Sequence, residues 1–219
     1  MLPARIPQHR PIIGRYVRLE PLAAHHAQAL FGISNTLERD RLYRYLPDER
    51  ITSVADSNRW IAEKLAADDP LFFVCVDNAS GQALGRQSLM RITPQHGVIE
   101  IGHILWGPGM AQSRLATESL YLMASYVFDD LGYRRFEWKC DSLNEPSRRA
   151  ALRFGFQFEG IFRQHMWIKG KNRDTAWYAM LDGDWPALRA AYDRWLEPGN
   201  FDALGRQRMS LAAARGAVL

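Results

Sequence analysis

The chain has 219 residues, 47% hydrophobic and 24% charged, which suits one sizeable globular domain. Its net charge of +4 comes almost wholly from arginine, the lysines being Lys64, Lys139, Lys169 and Lys171. The 24 acidic residues are interspersed and no block of like charge occurs, which argues against nucleic acid and leaves room for a small anionic ligand. No apolar run of about 18 residues and no apolar leader occur, so no membrane is expected and the expected location is the cytoplasm. Cys75 and Cys140 lie far apart in apolar strand patterns, without metal-ligand spacing. Both are expected as buried free thiols, and no metal is expected.

In chain order, residues 1–14 carry three prolines and read as an extended arm. Tyr16 to Glu20 alternates as a first strand. Ala23 to Ile33 is helical, with His25 and His26 read as surface residues. Tyr43 and Tyr45 sit in a short irregular segment that could wall a pocket, and Asp56 or Ser57 should cap a helix bearing Trp60, Ile61 and Leu65. Leu71 to Val76, Ala83 to Ile92 and Val98 to Trp106 are strands joined by the turns Asn78–Gly81 and Pro94–Gly97. A long helix then runs from about Ala111 to Leu131, with Leu115, Leu122, Met123, Tyr126 and Val127 inward and Gly132 as its stop. Arg135 to Cys140 is the next strand. Asn144 caps a helix with Pro146 in its first turn and Arg148, Arg149 and Arg153 on its exposed face. Phe156–Phe158 is a short strand, and Gln164–Lys169 with Thr175–Leu181 forms a hairpin. Asp184 caps a last helix with Leu188, Ala191 and Trp195 inward. The chain divides into one domain, 1–196, and a tail, 197–219, read as a docking arm or a frayed end.

Hairpins followed by strand–helix–strand crossovers predict an α/β domain with a mixed, mostly antiparallel sheet. The first crossover helix opens toward the sheet after a tight loop, and unpaired N–H groups there form a natural anion site.

The segments Gly14–Leu22 (GRYVRLEPL), Ile99–His103 (IEIGH), Ala116–Leu120 (ATESL), Asn144–Ser147 (NEPS) and Gly155–Gly160 (GFQFEG) resemble, in order and spacing, the GNAT superfamily of acyl-CoA-dependent N-acyltransferases. Over about residues 12–196 the chain is most similar to the branch of ribosomal-protein N-terminal acetyltransferases. The resemblance implies helices on both faces of a sheet splayed at its central strand, and acetyl-CoA as acyl donor. It implies that the backbone of Ile104, Leu105 and Trp106 pairs with the pantetheine arm, an addition of a small molecule to a strand edge. It also implies that Asn144 bonds that arm and that Ser147 sits near the sulfur as acid for the departing thiolate. The family's loop reads Gln/Arg-x-x-Gly-x-Gly/Ala, and here Ala111-Gln112-Ser113-Arg114-Leu115-Ala116 stands in its place. Arg114 replaces the central glycine, so it must be helical or strained. Backbone N–H groups from Gln112 to Ala116, within a loop and first turn reaching Thr117, are expected to hold the pyrophosphate, aided by the Ser113 or Arg114 side chain.

Amine attack on a thioester needs a base and an oxyanion site but no covalent enzyme intermediate. Glu100 is the first base candidate, because a carboxylate amid apolar strand residues is costly without a task. His165 is the second. In a regular strand Glu100 and His103 point to opposite faces unless a bulge intervenes. The acceptor is expected to be a protein N-terminus or a small-molecule amine such as an amino acid or polyamine, and a homodimer stays open. The alternative reading is a non-catalytic acyl-CoA-binding or interaction protein, its altered loop reflecting lost turnover.

Overall fold

Apolar alternation between turn residues builds one eight-stranded sheet, seen in a computed structural model that describes residues 2–216. Its strands are β1 (Ile12–Ile13), β2 (Val17–Pro21), β3 (Leu71–Asp77), β4 (Ala83–Thr93), β5 (Val98–Trp106), β6 (Arg135–Asp141), β7 (Gln157–Ile168) and β8 (Lys171–Leu181). They lie in the order β1-β2-β3-β4-β5-β6-β8-β7, antiparallel throughout except for the parallel pair β5–β6. That pair is parallel because a helix crosses between its strands. Pairing runs from Val98↔Arg135 to Ile101↔Trp138 and then stops, so Gly102 to Trp106 have no partner on β6. The sheet is splayed at its central strand.

Side-chain alternation gives the sheet two buried faces. On the first, α4 (Arg114–Ser125), α5 (Glu145–Phe154), α6 (Trp185–Leu196) and α7 (Leu211–Gly216) pack on Leu19, Phe73, Leu89, Ile99 and Phe136. On the second, α1 (Ala27–Ser34), α2 (Arg39–Tyr43) and α3 (Val54–Leu65) cover Phe72, Val74, Val76 and Leu105. Both cysteines are buried and free.

Several boundaries differ from the sequence expectations for local reasons. The long helix starts at Arg114, because Ser113 is extended (φ −99°, ψ 171°) and caps it, and residues 107–113 are tied into turns instead. It continues as a single π turn, Tyr126–Asp130, before Gly132 at φ 72°. The cap of α3 is Ser53, which accepts from the Asp56 N–H, while Asp56 reaches back to Thr52. Strand β7 is continuous across Gly160, its register shifts absorbing the residues read as a break. His26 is buried, its Nδ1 accepting from the Ala23 N–H and its Nε2 facing Glu20, so it is no surface residue and neither ring nitrogen is spare for a metal.

The N-terminal arm is docked: Ala4 is buried and donates its N–H to the Pro94 carbonyl. Residues 197–216, expected as a tail, fold back onto the domain. Phe201 packs edge-on against Trp195, and Leu211 and Ala214 are buried in the first core.

Candidate functional site

The open side of β5 meets the start of α4, and the loop between them is more internally bonded than expected. The Ser113 Oγ accepts from Leu115 N (3.1 Å) and Ala116 N (3.4 Å), and the Ser113 N–H donates to the Met110 carbonyl. Among the described residues this leaves the N–H groups of Gln112 and Arg114 without a partner, so fewer donors are free than the whole run of Gln112 to Ala116. Gln112, at φ 61°, holds the left-handed conformation, whereas Arg114 is helical. The Arg114 guanidinium lies 4.4 Å over the Tyr16 ring and 5.6 Å from that of Phe201, turned to the flank of the helix.

The first turn of α4 gains a cation from α5 instead. Arg153 donates from Nη1 to Thr117 Oγ1 at 3.0 Å and has no carboxylate within 4.0 Å among the described residues. Burial pulls its pKa down, as expected for a cation half-removed from water without a counter-charge. Arg148 is likewise half-buried, donating to the Tyr178 hydroxyl, so of the three arginines placed on the exposed face only Arg149 is fully exposed.

Across the splay, Asn144 caps α5 through Oδ1, which accepts from Ser147 N at 3.2 Å, and its Nδ2 has no partner among the described residues. The Ser147 Oγ accepts from Trp138 Nε1 at 3.0 Å, so its own proton remains available to donate. Ile104, Leu105 and Trp106 face this gap along β5. Leu105 and Trp106 pair with Arg86 and Gly85 of β4 on their other side, and the Trp106 indole donates to Gln87 Oε1 at 3.1 Å.

Glu100 lies on the second face and is buried, but its Oε2 is shared by Arg91 Nη1 (2.6 Å) and Lys139 Nζ (2.9 Å). Lys139 also meets Glu137 at 2.6 Å and sits 3.8 Å over the Trp177 ring. Removing the Glu100 charge would leave Arg91 without a counter-charge, while Lys139 keeps Glu137. His165 is exposed on β7, its Nδ1 2.9 Å from Thr175 Oγ1. Desolvation first, then the charges of Arg173, Arg91 and Lys139, lower its pKa, which favours the neutral ring.

One cluster on this face escaped the sequence reading of the loop around Tyr43 and Tyr45. Asp48 accepts from Arg86 Nη2 at 2.9 Å and lies 3.1 Å from His103 Nδ1, with Lys64 at 4.0 Å. Burial pushes the Asp48 carboxyl up, but the His103 hydrogen bond and the Arg86 charge together hold it well below the usual carboxylate range. A bulge carries His103 here: Arg86 pairs with Leu105 and Ser88 with Gly102, so His103 and Ile104 stand opposite Gln87 alone. Its φ of 49° turns the ring toward Phe72, 5.2 Å away on the second face. Positive φ at a non-glycine gives no signal in sequence.

The family profile described as "Acetyltransferase (GNAT) domain" matches residues 17–157. The structure is similar to a GCN5-related N-acetyltransferase from Brucella melitensis, at 50% identity and a TM-score of 0.96, covering 99% of this chain and 98% of that one. A curated relative, the uncharacterized N-acetyltransferase YoaA of Bacillus subtilis, is 31% identical over 46% of this chain, and the chain spans 56% of that relative's length. The fold alone is also shared with an acetyltransferase from Salmonella typhimurium described as modifying the N-terminal serine of ribosomal protein L7/L12, at 19% identity, covering 78% of this chain and 99% of that one with a TM-score of 0.69. With its family profile spanning well over half the residues, the chain belongs to the GNAT acetyltransferase family.

Proposed function

We propose that the protein transfers an acetyl group from acetyl-CoA to a primary amine by direct attack on the thioester. The observation that carries this reading is the open edge of β5, where pairing with β6 ends at Ile101↔Trp138. Unpaired strand groups at Ile104, Leu105 and Trp106 can bond an extended amide-bearing arm as a neighbouring strand would.

The residues around the gap fit the rest of acetyl-CoA. The free N–H groups of Gln112 and Arg114, the positive end of α4 and the Arg153 guanidinium on Thr117 suit a pyrophosphate. Asn144 Nδ2 remains to hold the arm beside Ser147. In the transfer the amine lone pair bonds the acyl carbon while the C–S bond breaks with its electrons on sulfur. Open β5 N–H groups stabilise the carbonyl oxygen, and Ser147 Oγ gives its proton to the thiolate. Of the expected bases, Glu100 is committed to two cations, and His165 stands on the edge hairpin with a neutral ring favoured.

The acceptor we propose is a protein N-terminus or a small-molecule amine, the former supported by the shared fold with the ribosomal-protein enzyme. Calorimetric titration with acetyl-CoA should give saturable heat. Thiol release should then follow addition of a tripeptide with N-terminal serine, of free amino acids or of spermidine. Binding without release on any amine would instead favour a non-catalytic acyl-CoA-binding protein. No heat at high micromolar acetyl-CoA would overturn the cofactor assignment.

A further inference from the structure

The Asp48–Arg86–His103 cluster is a costly arrangement for packing alone. Arg86 is 1% exposed and the Asp48 side chain 7%, and each ion removed from water costs several kcal/mol before its partners repay it. Apolar side chains of similar size would fill the space against Trp60 and Phe72 without that cost. The cluster is nevertheless tied from every side. Arg86 donates from Nη1 to the His103 carbonyl (2.9 Å) and stacks 4.4 Å over Trp60. Lys169, from the β7–β8 hairpin, donates from Nζ to the Asp48 carbonyl at 2.8 Å.

What this holds in place is one imidazole. Arg86 supplies a counter-charge to Asp48, and an ionised carboxylate can only accept, so the hydrogen of the 3.1 Å contact is on His103 Nδ1. Nε2 has no hydrogen-bond partner among the described residues, on a ring 14% exposed, and is the nitrogen left to accept a proton. His103 also stands two residues beyond Ile101, the last β5 residue paired with β6, where the strand edge opens.

We infer that His103 is the general base of the transfer and Asp48 the residue that positions it. This rests on the acetyl-transfer reading above. As nitrogen bonds the acyl carbon, His103 Nε2 takes the N–H proton that the amine sheds. Sulfur leaves with the C–S electron pair and takes the Ser147 proton, and both residues then re-equilibrate with solvent. The dyad works at the β5 bulge, on the face opposite α4, so proton removal comes from a strand and leaving-group protonation from the first turn of α5. Charged groups around the ring are Asp48 from the loop after α2, Arg86 from β4, Lys64 from α3 and Lys169 from the hairpin.

The test uses the full chain, acetyl-CoA and whichever of the serine tripeptide, amino acids or spermidine supports thiol release. His103→Gln should lower kcat/KM about a hundredfold or more, leave acetyl-CoA affinity by calorimetry within about twofold, and remove the acidic limb of the pH–rate profile. Imidazole in the buffer should restore part of the rate to His103→Ala. Asp48→Asn should lower the rate less and move the acidic limb, and His165→Ala should leave that limb in place. Long-range 1H–15N spectra of the wild-type rings should show His103 as the Nδ1–H tautomer. A His103→Gln enzyme that keeps its rate and acidic limb overturns the assignment alone, as does an Nε2–H tautomer. Absence of thiol release from the wild type with every amine overturns the transfer reading and this assignment with it.

Discussion

At the scale of single residues, this protein commits its cations selectively, and the arginine with the least obvious role is the most telling. Arg149 and Arg206 make i,i+4 pairs at the surface that solvent screens. Arg153 is different. It is half-buried between Phe154 and Trp195 and bonds only a threonine hydroxyl at the first turn of α4. A charge-assisted bond to a phosphate is worth about 1.5–3 kcal/mol. Arg153→Ala should therefore weaken acetyl-CoA about tenfold or more in calorimetry, while binding of acetyl-pantetheine, which lacks the pyrophosphate, stays within about twofold. Equal weakening of both ligands would place Arg153 elsewhere. Asp48 gives the complementary acidic case. Its folded pKa is lowered, so its contribution is fully present above the unfolded value of about 3.9 and fades as pH falls below it. Asp48→Asn leaves Arg86 buried without a counter-charge and should cost about 3 kcal/mol at pH 7. That gap should narrow by about 1 kcal/mol at pH 3, since one pKa unit corresponds to about 1.4 kcal/mol. Urea denaturation at the two pH values measures it, and an unchanged gap would mean the pair is not ionised as drawn.

At the scale of elements, the loop before α4 shows why some of the site was legible and some was not. Turn residues, apolar alternation and the order of short motifs identified the strands, the crossover and the helix caps at Asn144 and Gly132, because those features rest on local chemistry. The replacement of the central glycine by Arg114 was legible too, but its consequence was not. The left-handed residue moved two positions back to Gln112, and Ser113 took over capping, an exchange decided by how the loop closes onto Met110. The β5 bulge that turns His103 to the second face was open for the same reason: it depends on β4 pairing. Glu100 was legible as buried, but its engagement with Arg91 and Lys139 needs strands brought together from distant sequence. The loop reading makes opposite forecasts for two glycine variants. Left-handed φ costs a residue with Cβ about 1–2 kcal/mol, so Gln112→Gly should match or exceed wild-type stability. Arg114→Gly removes a helical residue and its stacking on Tyr16, and should lose about 1–2 kcal/mol. Thermal melts of the pair decide whether the glycine role has been relocated or abolished.

At the scale of the whole molecule, the site depends on a segment that contains none of its polar groups. No helix among the described residues is long and apolar enough to cross a membrane, and beyond α6 Phe201, Leu211 and Ala214 are buried while Leu204 is exposed. Phe201 closes over Trp195 and Arg114, Asn200 Nδ2 donates to the Trp195 and Met209 carbonyls, and Leu211 and Ala214 fill the space beside α5 and α6. Burying Phe201 and Leu211 side chains is worth about 1.5–3 kcal/mol each, so their loss alone removes about 3–6 kcal/mol. That is a large share of the stability of an ordinary domain, about 5–15 kcal/mol. A chain ended at residue 196 should therefore unfold at markedly lower urea concentration than the full chain. The loss should also reach the loop before α4, where we propose the pyrophosphate binds, because Phe201 and Tyr16 flank the Arg114 guanidinium and Tyr16 donates its hydroxyl to the Leu196 carbonyl. Phe201→Ala in the full chain separates the two effects. It should lower stability by about 3–5 kcal/mol and weaken acetyl-CoA binding, measured at a temperature where the variant is fully folded. If acetyl-CoA affinity is unchanged in that folded variant, the segment braces the core and the loop orders itself without it.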